Sequence, residues 1–272
     1  MKILDGRELA GYIQERQIRQ VRNLRQAHGV IPTLAIVQTI EDPVIAAYVR
    51  MKKAYGDEIL IEVQEHTVAQ SEVAELLASL NTDSKVHGII VQLPLSDPSE
   101  TDEIVNKIAP AKDVDGLGTE AVFTSATATA IDWLLAGYNV DLKTKKIAIV
   151  GEGRLVGAPL VKLWKTTGYD LTVYDDTTED LQSALREAQV IVTATGVPGL
   201  ITEHMIQPSA VVVDAGTATE GGKIVGDVAD SVREREDITI TPVRGGVGPL
   251  TIATLFDNVI QATIVVADTQ EN

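Results

Sequence analysis

The sequence predicts an α/β protein of two domains: an N-terminal α/β catalytic domain and a Rossmann-type parallel-sheet domain for a nucleotide. Three observations carry that prediction. Apolar runs of strand length alternate with helical stretches along most of the chain, the pattern of a parallel, helix-covered sheet. The stretch KKIAIVGEGRLVGAPL (145–160) gives strand, glycine turn and helix in succession, the order in which backbone N–H groups and a helix N-terminus meet a pyrophosphate. That turn stands at mid-chain in a protein of 272 residues, so a second domain fits ahead of it.

The elements follow in order. Helical periodicity runs from Gly6 to Ala27, with Leu9, Tyr12, Ile13, Ile18, Val21 and Leu24 near one face. Strands are expected at Thr33–Gln38, Ile59–Val63 and Gly88–Leu93, with helices between them at Pro43–Tyr55 and Ser71–Leu80. The cluster SDPSETD (96–102) reads as a loop and a helix start. A helix over Ala126–Leu135 leads to the strand Lys145–Val150. Beyond the glycine turn, Leu171–Tyr174, Val190–Ala194, Ala210–Asp214 and Ile238–Thr241 recur at roughly twenty-residue intervals, as a doubly wound nucleotide domain requires. VREREDI, after Ser231, reads as a solvated helix end. The segment Pro249–Val266 is helical, with Ile252, Leu255, Val259 and Ile260 apolar, and is expected to pack on the first half. The expected domains are 1–121 completed by 248–272, and 122–247, with substrate held in the cleft between them.

Composition removes several function classes. A chain 44% hydrophobic and 23% charged has material for an ordinary core. A net charge of −16 without a basic stripe argues against a nucleic-acid partner, because phosphate contacts need clustered Lys and Arg. The absence of cysteine excludes disulfides, thiolate catalysis and Cys-ligated zinc. His28, His66, His87 and His204 fall at no metal-ligand spacing, so no metal is expected. Met1 leads directly into KILDGREL, and no apolar run approaches the ~20 residues of a membrane span. A cytoplasmic protein with no membrane partner is the expectation.

Five groups of residues stand out. Tyr48 and Lys52 are four apart on a helix and leave the same face. A desolvated lysine can act as a base near neutral pH, and an aromatic ring can stack on a flat substrate; the same spacing also makes an ordinary surface pair. Tyr-xxx-Lys occurs in short-chain dehydrogenases too, but there the glycine turn comes first, which excludes that family. Gln92 ends the strand GIIVQLPL, where open α/β sheets gather their sites. Asp113 and Asp115 precede Gly116, as either site carboxylates or Asx-turn residues. TPVRGGVGPLT (241–251) crowds glycine and proline against a strand end, including Gly246 and Pro249, which suits close approach to a ligand. Finally, Gly151, Glu152, Gly153, Arg154 and Gly157 form the glycine turn, Asp175 and Asp176 end the next strand, and Gly196 follows the one after it.

YVRMK, GIIVQLPL, KDVDG, GxGxxVGxP, VVDAG, VGDV and PVRGGVGPLT occur in this order over nearly the whole chain. In this the sequence resembles the bifunctional methylenetetrahydrofolate dehydrogenase/cyclohydrolase family. The resemblance implies oxidation of methylene-tetrahydrofolate to the methenyl form with a nicotinamide cofactor, then hydrolysis to 10-formyl-tetrahydrofolate. It implies Lys52 as the catalytic lysine, Gln92 as its hydrogen-bonding partner, Tyr48 as the stacking residue and Asp115 as the pterin anchor. It also implies a homodimer through the nucleotide domain. Departures from the family pattern lie at SATATA (125–130), where the family has PCTPxG, at Arg244 and Leu250, and in a connection after Asp115 about ten residues short. Two alternatives are a shikimate-dehydrogenase-like enzyme, which should lack VQLPL and GGVGP, and a non-catalytic nucleotide-binding protein. Family members that use NADP carry Arg-Ser where this chain has Glu152 and Gly153. With Asp175 and Asp176 at the spacing of a ribose-binding acid, the expected cofactor is NAD in preference to NADP.

Overall fold

A computed structural model describes residues 2–220 and 223–270. Met1 and residues 271–272, at the ends of the expected first-domain segments, and residues 221–222 of the expected second domain lie outside the described residues. The chain forms two compact units: residues 11–126 with 252–272, and residues 1–10 with 127–251. We call them the Lys52 unit and the glycine-turn unit.

The strands are β1 (Lys2–Ile3), β2 (Thr33–Gln38), β3 (Glu62–Thr67), β4 (Gly88–Val91), β5 (Ile147–Val150), β6 (Leu171–Tyr174), β7 (Val190–Thr193), β8 (Val211–Asp214), β9 (Ala218–Glu220), β10 (Lys223–Val225) and β11 (Thr239–Ile240). The helices are α1 (Gly6–Ala27), α2 (Pro43–Ile59), α3 (Val73–Thr82), α4 (Thr101–Val105), α5 (Ala126–Gly137), α6 (Gly157–Thr167), α7 (Leu181–Arg186), α8 (Asp230–Arg233) and α9 (Val247–Gln270).

In the Lys52 unit a parallel sheet has the order β3-β2-β4. All of β2 is buried, which is why TLAIVQ reads as a continuous apolar run rather than an alternation. Asp42 caps α2, its Oδ1 accepting from the N–H groups of Val44 and Ile45 at 2.8 and 3.2 Å, and Pro43 takes the first helical position. The helix continues to Ile59, so the strand expected at Ile59–Val63 lies later, at Glu62–Thr67. Ile59 and Ile61 are apolar because they enter the core at the end of the helix and just beyond it. β3 is an edge strand with partly exposed side chains, so its sequence is polar.

α9 supplies Leu255, Phe256, Val259 and Ile260 to the same core as Val21, Leu24 and Val49. The Phe256 ring lies 5.2 Å from that of Tyr55. Contrary to the expectation that no apolar run approaches membrane length, α9 is long and apolar enough to cross a bilayer. Its apolar stretch is 56% buried within the protein, as in a core helix.

The glycine-turn unit has a six-stranded parallel sheet in the order β1-β11-β8-β7-β5-β6. β1 was not expected. It pairs Lys2 with Thr239 and Ile3 with Ile240, and this draws residues 1–10 into the glycine-turn unit rather than the expected 1–121 domain. The first turn of α9, to Thr251, also falls in this unit. β6 and β7 flank β5 on opposite sides, so the sheet has its switch point at the C-terminal ends of β5 and β7. Trp164, fully buried on α6, donates from Nε1 to Asp132 on α5 at 2.9 Å; a buried indole N–H needs such a partner.

Candidate active site

In the Lys52 unit, Tyr48 and Lys52 lie one turn apart on α2, both partly buried. Lys52 Nζ donates to Gln92 Oε1 at 2.7 Å. Gln92 directly follows β4; its backbone N–H donates to the Val37 carbonyl at 2.8 Å, and its Nε2 to the Leu93 carbonyl at 3.2 Å. The second bond fixes the amide so that its oxygen meets the lysine. Burial pushes the Lys52 pKa down, and the charge of Asp115 partly opposes the shift.

The two acids of KDVDG divide their roles. Asp113 makes the turn: its Oδ1 accepts from Gly116 N–H at 3.0 Å and its Oδ2 from Gly118 N–H at 2.7 Å. Asp115 is the electrostatic partner of Lys52, with its pKa pushed up to about 6, chiefly by burial; Lys52 opposes the shift and Asp113 adds to it. Gly116 has φ +69°, and a Cβ there would lie 2.6 Å from both the Phe123 carbonyl oxygen and the Ser125 nitrogen. Asn258 of α9 ties the loop down, donating from Nδ2 to the carbonyls of Val114 at 2.9 Å and Thr124 at 3.1 Å. Neither this nor the buried bond from Thr254 Oγ1 to the Ala126 carbonyl at 2.7 Å was foreseen, since each joins residues more than a hundred positions apart.

Together these groups hold an amine whose neutral form is favoured by burial beside a carboxylate acceptor and an aromatic ring. Such a constellation can shuttle a proton and hold a flat, donor-bearing heterocycle.

In the glycine-turn unit, Gly151 has φ +91°, and its N–H donates to the Tyr174 carbonyl at 2.8 Å. That bond sets the turn beside the end of β6, where Asp175 follows. Gly157 opens α6, and a Cβ there would lie 1.9 Å from the Gly151 carbonyl oxygen. On Gly153 a Cβ would meet only the Ala194 oxygen, at 3.9 Å; this is room for a ligand's close approach. α6 has no side-chain cap at Val156, as suits a helix end that receives a pyrophosphate. Glu152, Gly153 and Arg154 are exposed. Asp175 Oδ1 accepts from Thr177 N–H at 3.0 Å and Thr177 Oγ1 at 2.7 Å, and these bonds hold the carboxyl below the usual range. Asp176 and Gly196 are exposed, the latter with φ +69°.

Gly246 and Pro249 belong to this unit, at the entry to α9. Gly246 is pressed against the chain start, where a Cβ on Gly6 would lie 1.8 Å from its carbonyl oxygen. Arg7 Nη2 donates to the Arg244 carbonyl at 2.6 Å. VREREDI is not merely a solvated helix end: Arg233 Nη2 reaches buried Asp214 at 2.7 Å, and Nη1 donates to the Thr241 carbonyl at 2.8 Å.

Comparison with known proteins matches both parts of the chain to one family. The catalytic-domain model of tetrahydrofolate dehydrogenase/cyclohydrolase matches residues 4–115, and the NAD(P)-binding-domain model matches residues 125–266. The bifunctional protein FolD of Sulfurovum sp. is 33% identical over 276 residues, covering 96% of this chain and 98% of that protein. The crystal structure of the bifunctional enzyme FolD, methylenetetrahydrofolate dehydrogenase/cyclohydrolase, from Campylobacter jejuni is 33% identical with a TM-score of 0.92, covering 97% of this chain and 99% of that one. That of the Trypanosoma brucei dehydrogenase-cyclohydrolase, complexed with NADP cofactor and inhibitor, is 28% identical with a TM-score of 0.88, covering 99% and 98%.

Proposed function

This chain belongs to the tetrahydrofolate dehydrogenase/cyclohydrolase family, and on that premise we propose that it oxidises methylene-tetrahydrofolate and hydrolyses the methenyl product to 10-formyl-tetrahydrofolate. The observation that carries the reading is the Lys52–Gln92 bond beside a desolvated Asp115. In the hydrolysis, water adds to the methenyl carbon and the bond to N5 breaks. Lys52, whose neutral form burial favours, takes the proton of the attacking water and returns one to N5, and a single proton is released overall. Gln92 accepts from the lysine and fixes its position. Asp115 accepts hydrogen bonds from the pterin's amino group and ring N–H, and Tyr48 stacks on the flat ring. A bound nicotinamide cofactor would supply the acceptor for the hydride of the methylene carbon. The glycine turn at Gly151, Gly153 and Gly157 and the α6 N-terminus would hold its pyrophosphate. VQLPL and GGVGP, together with the match to both family domains, set the shikimate-dehydrogenase-like alternative aside.

For the cofactor, the reading is NAD in preference to NADP. Glu152, Asp175 and Asp176 place like charge against a 2′-phosphate dianion, and each opposes it. Asp175, kept ionised by Thr177, is the ribose acceptor. A spectrophotometric assay of methenyl-tetrahydrofolate formation tests both parts. Turnover with a higher kcat/KM for NAD is expected; no turnover with either cofactor contradicts the activity, and an advantage for NADP contradicts the preference. We also take the protein to be a cytoplasmic homodimer. A light-scattering mass of one 29.1 kDa chain would contradict the dimer.

A further inference from the structure

Asp227, in the VGDV motif, is fully buried, and its Oδ1 has no hydrogen-bond partner among the described residues. An unsatisfied buried oxygen is costly and asks for a compensating role. The backbone gives up side chains to make room for it. A Cβ on Gly216 would lie 1.9 Å from that same oxygen, and one on Gly226 would lie 2.1 Å from the neighbouring Asp214 Oδ2. The other oxygen shows what is gained. Asp227 Oδ2 accepts two hydrogen bonds at 2.7 Å, from Thr193 Oγ1 and from the backbone N–H of Thr195. Thr195 Oγ1 in turn accepts from Val197 N–H at 3.1 Å.

These bonds lead from a buried carboxylate to the turn Thr195–Val197, which includes the exposed Gly196. The turn leaves the C-terminal end of β7, one side of the switch point. The carbonyl oxygen of Ala194, just before it, would lie 2.8 Å from a Cβ on Gly151, so the two loops are in direct contact. On its inner side Asp227 is held equally firmly. Asp214 accepts from the N–H groups of Asp227 and Val228 at 3.0 and 3.2 Å and is paired to Arg233 at 2.7 Å.

We propose that Asp227 is a positioning residue for cofactor binding, fixing through Thr195 the shape of the Thr195–Val197 turn that meets the dinucleotide. The proposal rests on the dinucleotide reading of the glycine turn. Asp227→Ala removes the acceptor, whereas Asp227→Asn keeps a carbonyl oxygen for Thr195 N–H. Thr195→Val leaves the carboxylate intact and removes only the bond to Val197. The readouts are NADH affinity by fluorescence titration, KM and kcat of the dehydrogenase, and the hydrolysis rate without nucleotide.

Asp227→Ala should raise the NADH Kd and the cofactor KM about tenfold with a smaller fall in kcat. Asp227→Asn should raise them less than about threefold and Thr195→Val about threefold, with hydrolysis within about twofold of the parent throughout. A role confined to keeping the unit folded would lower the amount of active enzyme, and so kcat, without moving Kd or KM; that result overturns the proposal. If Asp227→Ala does not fold, an unchanged Kd in Thr195→Val overturns it instead. A parent that binds no NADH overturns the dinucleotide reading itself, a result distinct from variants that bind as well as a binding parent.

Discussion

The acids of the two units sit in opposite surroundings. Near Lys52 the carboxylate of Asp115 is desolvated and its pKa rises to about 6, while the lysine it attracts falls. Near the glycine turn, Asp175 is exposed and its hydrogen bonds to Thr177 lower its pKa. On the proposed function, the difference follows from the work each unit does. Moving a proton near neutral pH needs a base whose charged form is penalised, and burial supplies that penalty. Holding a dinucleotide needs backbone donors at close range and a firmly ionised ribose acceptor, which glycines and a solvated acid supply.

Lys52→Met breaks one side of the comparison most severely. It should lower the hydrolysis rate by at least ~100-fold, the scale of a lost general base, and leave NADH affinity unchanged in titration. Gly157→Ala attacks the other side by placing a Cβ 1.9 Å from the Gly151 carbonyl oxygen. The turn must open, so the NADH Kd should rise about tenfold or more, ~1.4 kcal/mol, with nucleotide-free hydrolysis unaffected. Loss of hydrolysis in that variant would show that the two units do not divide the work.

Two smaller effects sharpen the contrast. The folded pKa of Asp115, about 6, lies above an unfolded value near 3.9. The folded chain therefore binds the proton more tightly, and stability falls as pH rises through that window. Asp115→Asn should stabilise the protein at pH 7.5 by on the order of 2 kcal/mol, with the gain vanishing near pH 4. Urea melts at the two pH values check this; equal gains at both would mean that burial is not the cause. Asp175→Ser removes one of the acids proposed to oppose a 2′-phosphate. It should move the NADP/NAD ratio of kcat/KM towards NADP about fivefold. An unmoved ratio would assign the preference elsewhere.

The sequence is most legible where local pattern and local structure coincide. Gly6–Ala27, Thr33–Gln38 and Leu171–Tyr174 have the expected bounds, because the first keeps one helical period throughout and the other two are unbroken runs of strand length. GIIVQLPL places Gln92 at a strand end, and the YVRMK spacing places Lys52 on a helix, so the 2.7 Å bond between them joins two locally readable positions. Failures come from contacts across long separations. β1 has two residues and is a strand only because β11 pairs with it more than two hundred positions later. Arg233 looks like surface charge until Asp214 is placed beside it. Ile59 and Ile61 mimic a strand because the end of a helix and the start of its loop are buried together. α9 is membrane-like by length and apolar composition, and its packing in the core explains that composition.

The central claim is that burial favours the neutral form of Lys52 and so makes it the base, and the pH dependence of nucleotide-free methenyl-tetrahydrofolate hydrolysis tests it most directly. kcat/KM should rise with pH along a limb whose apparent pKa, a property of the Lys52–Asp115 pair, lies well below the ~10.4 of an ordinary lysine. That limb should be missing in Lys52→Met. A limb at the ordinary lysine value, or one that persists unchanged in the variant, would contradict the account.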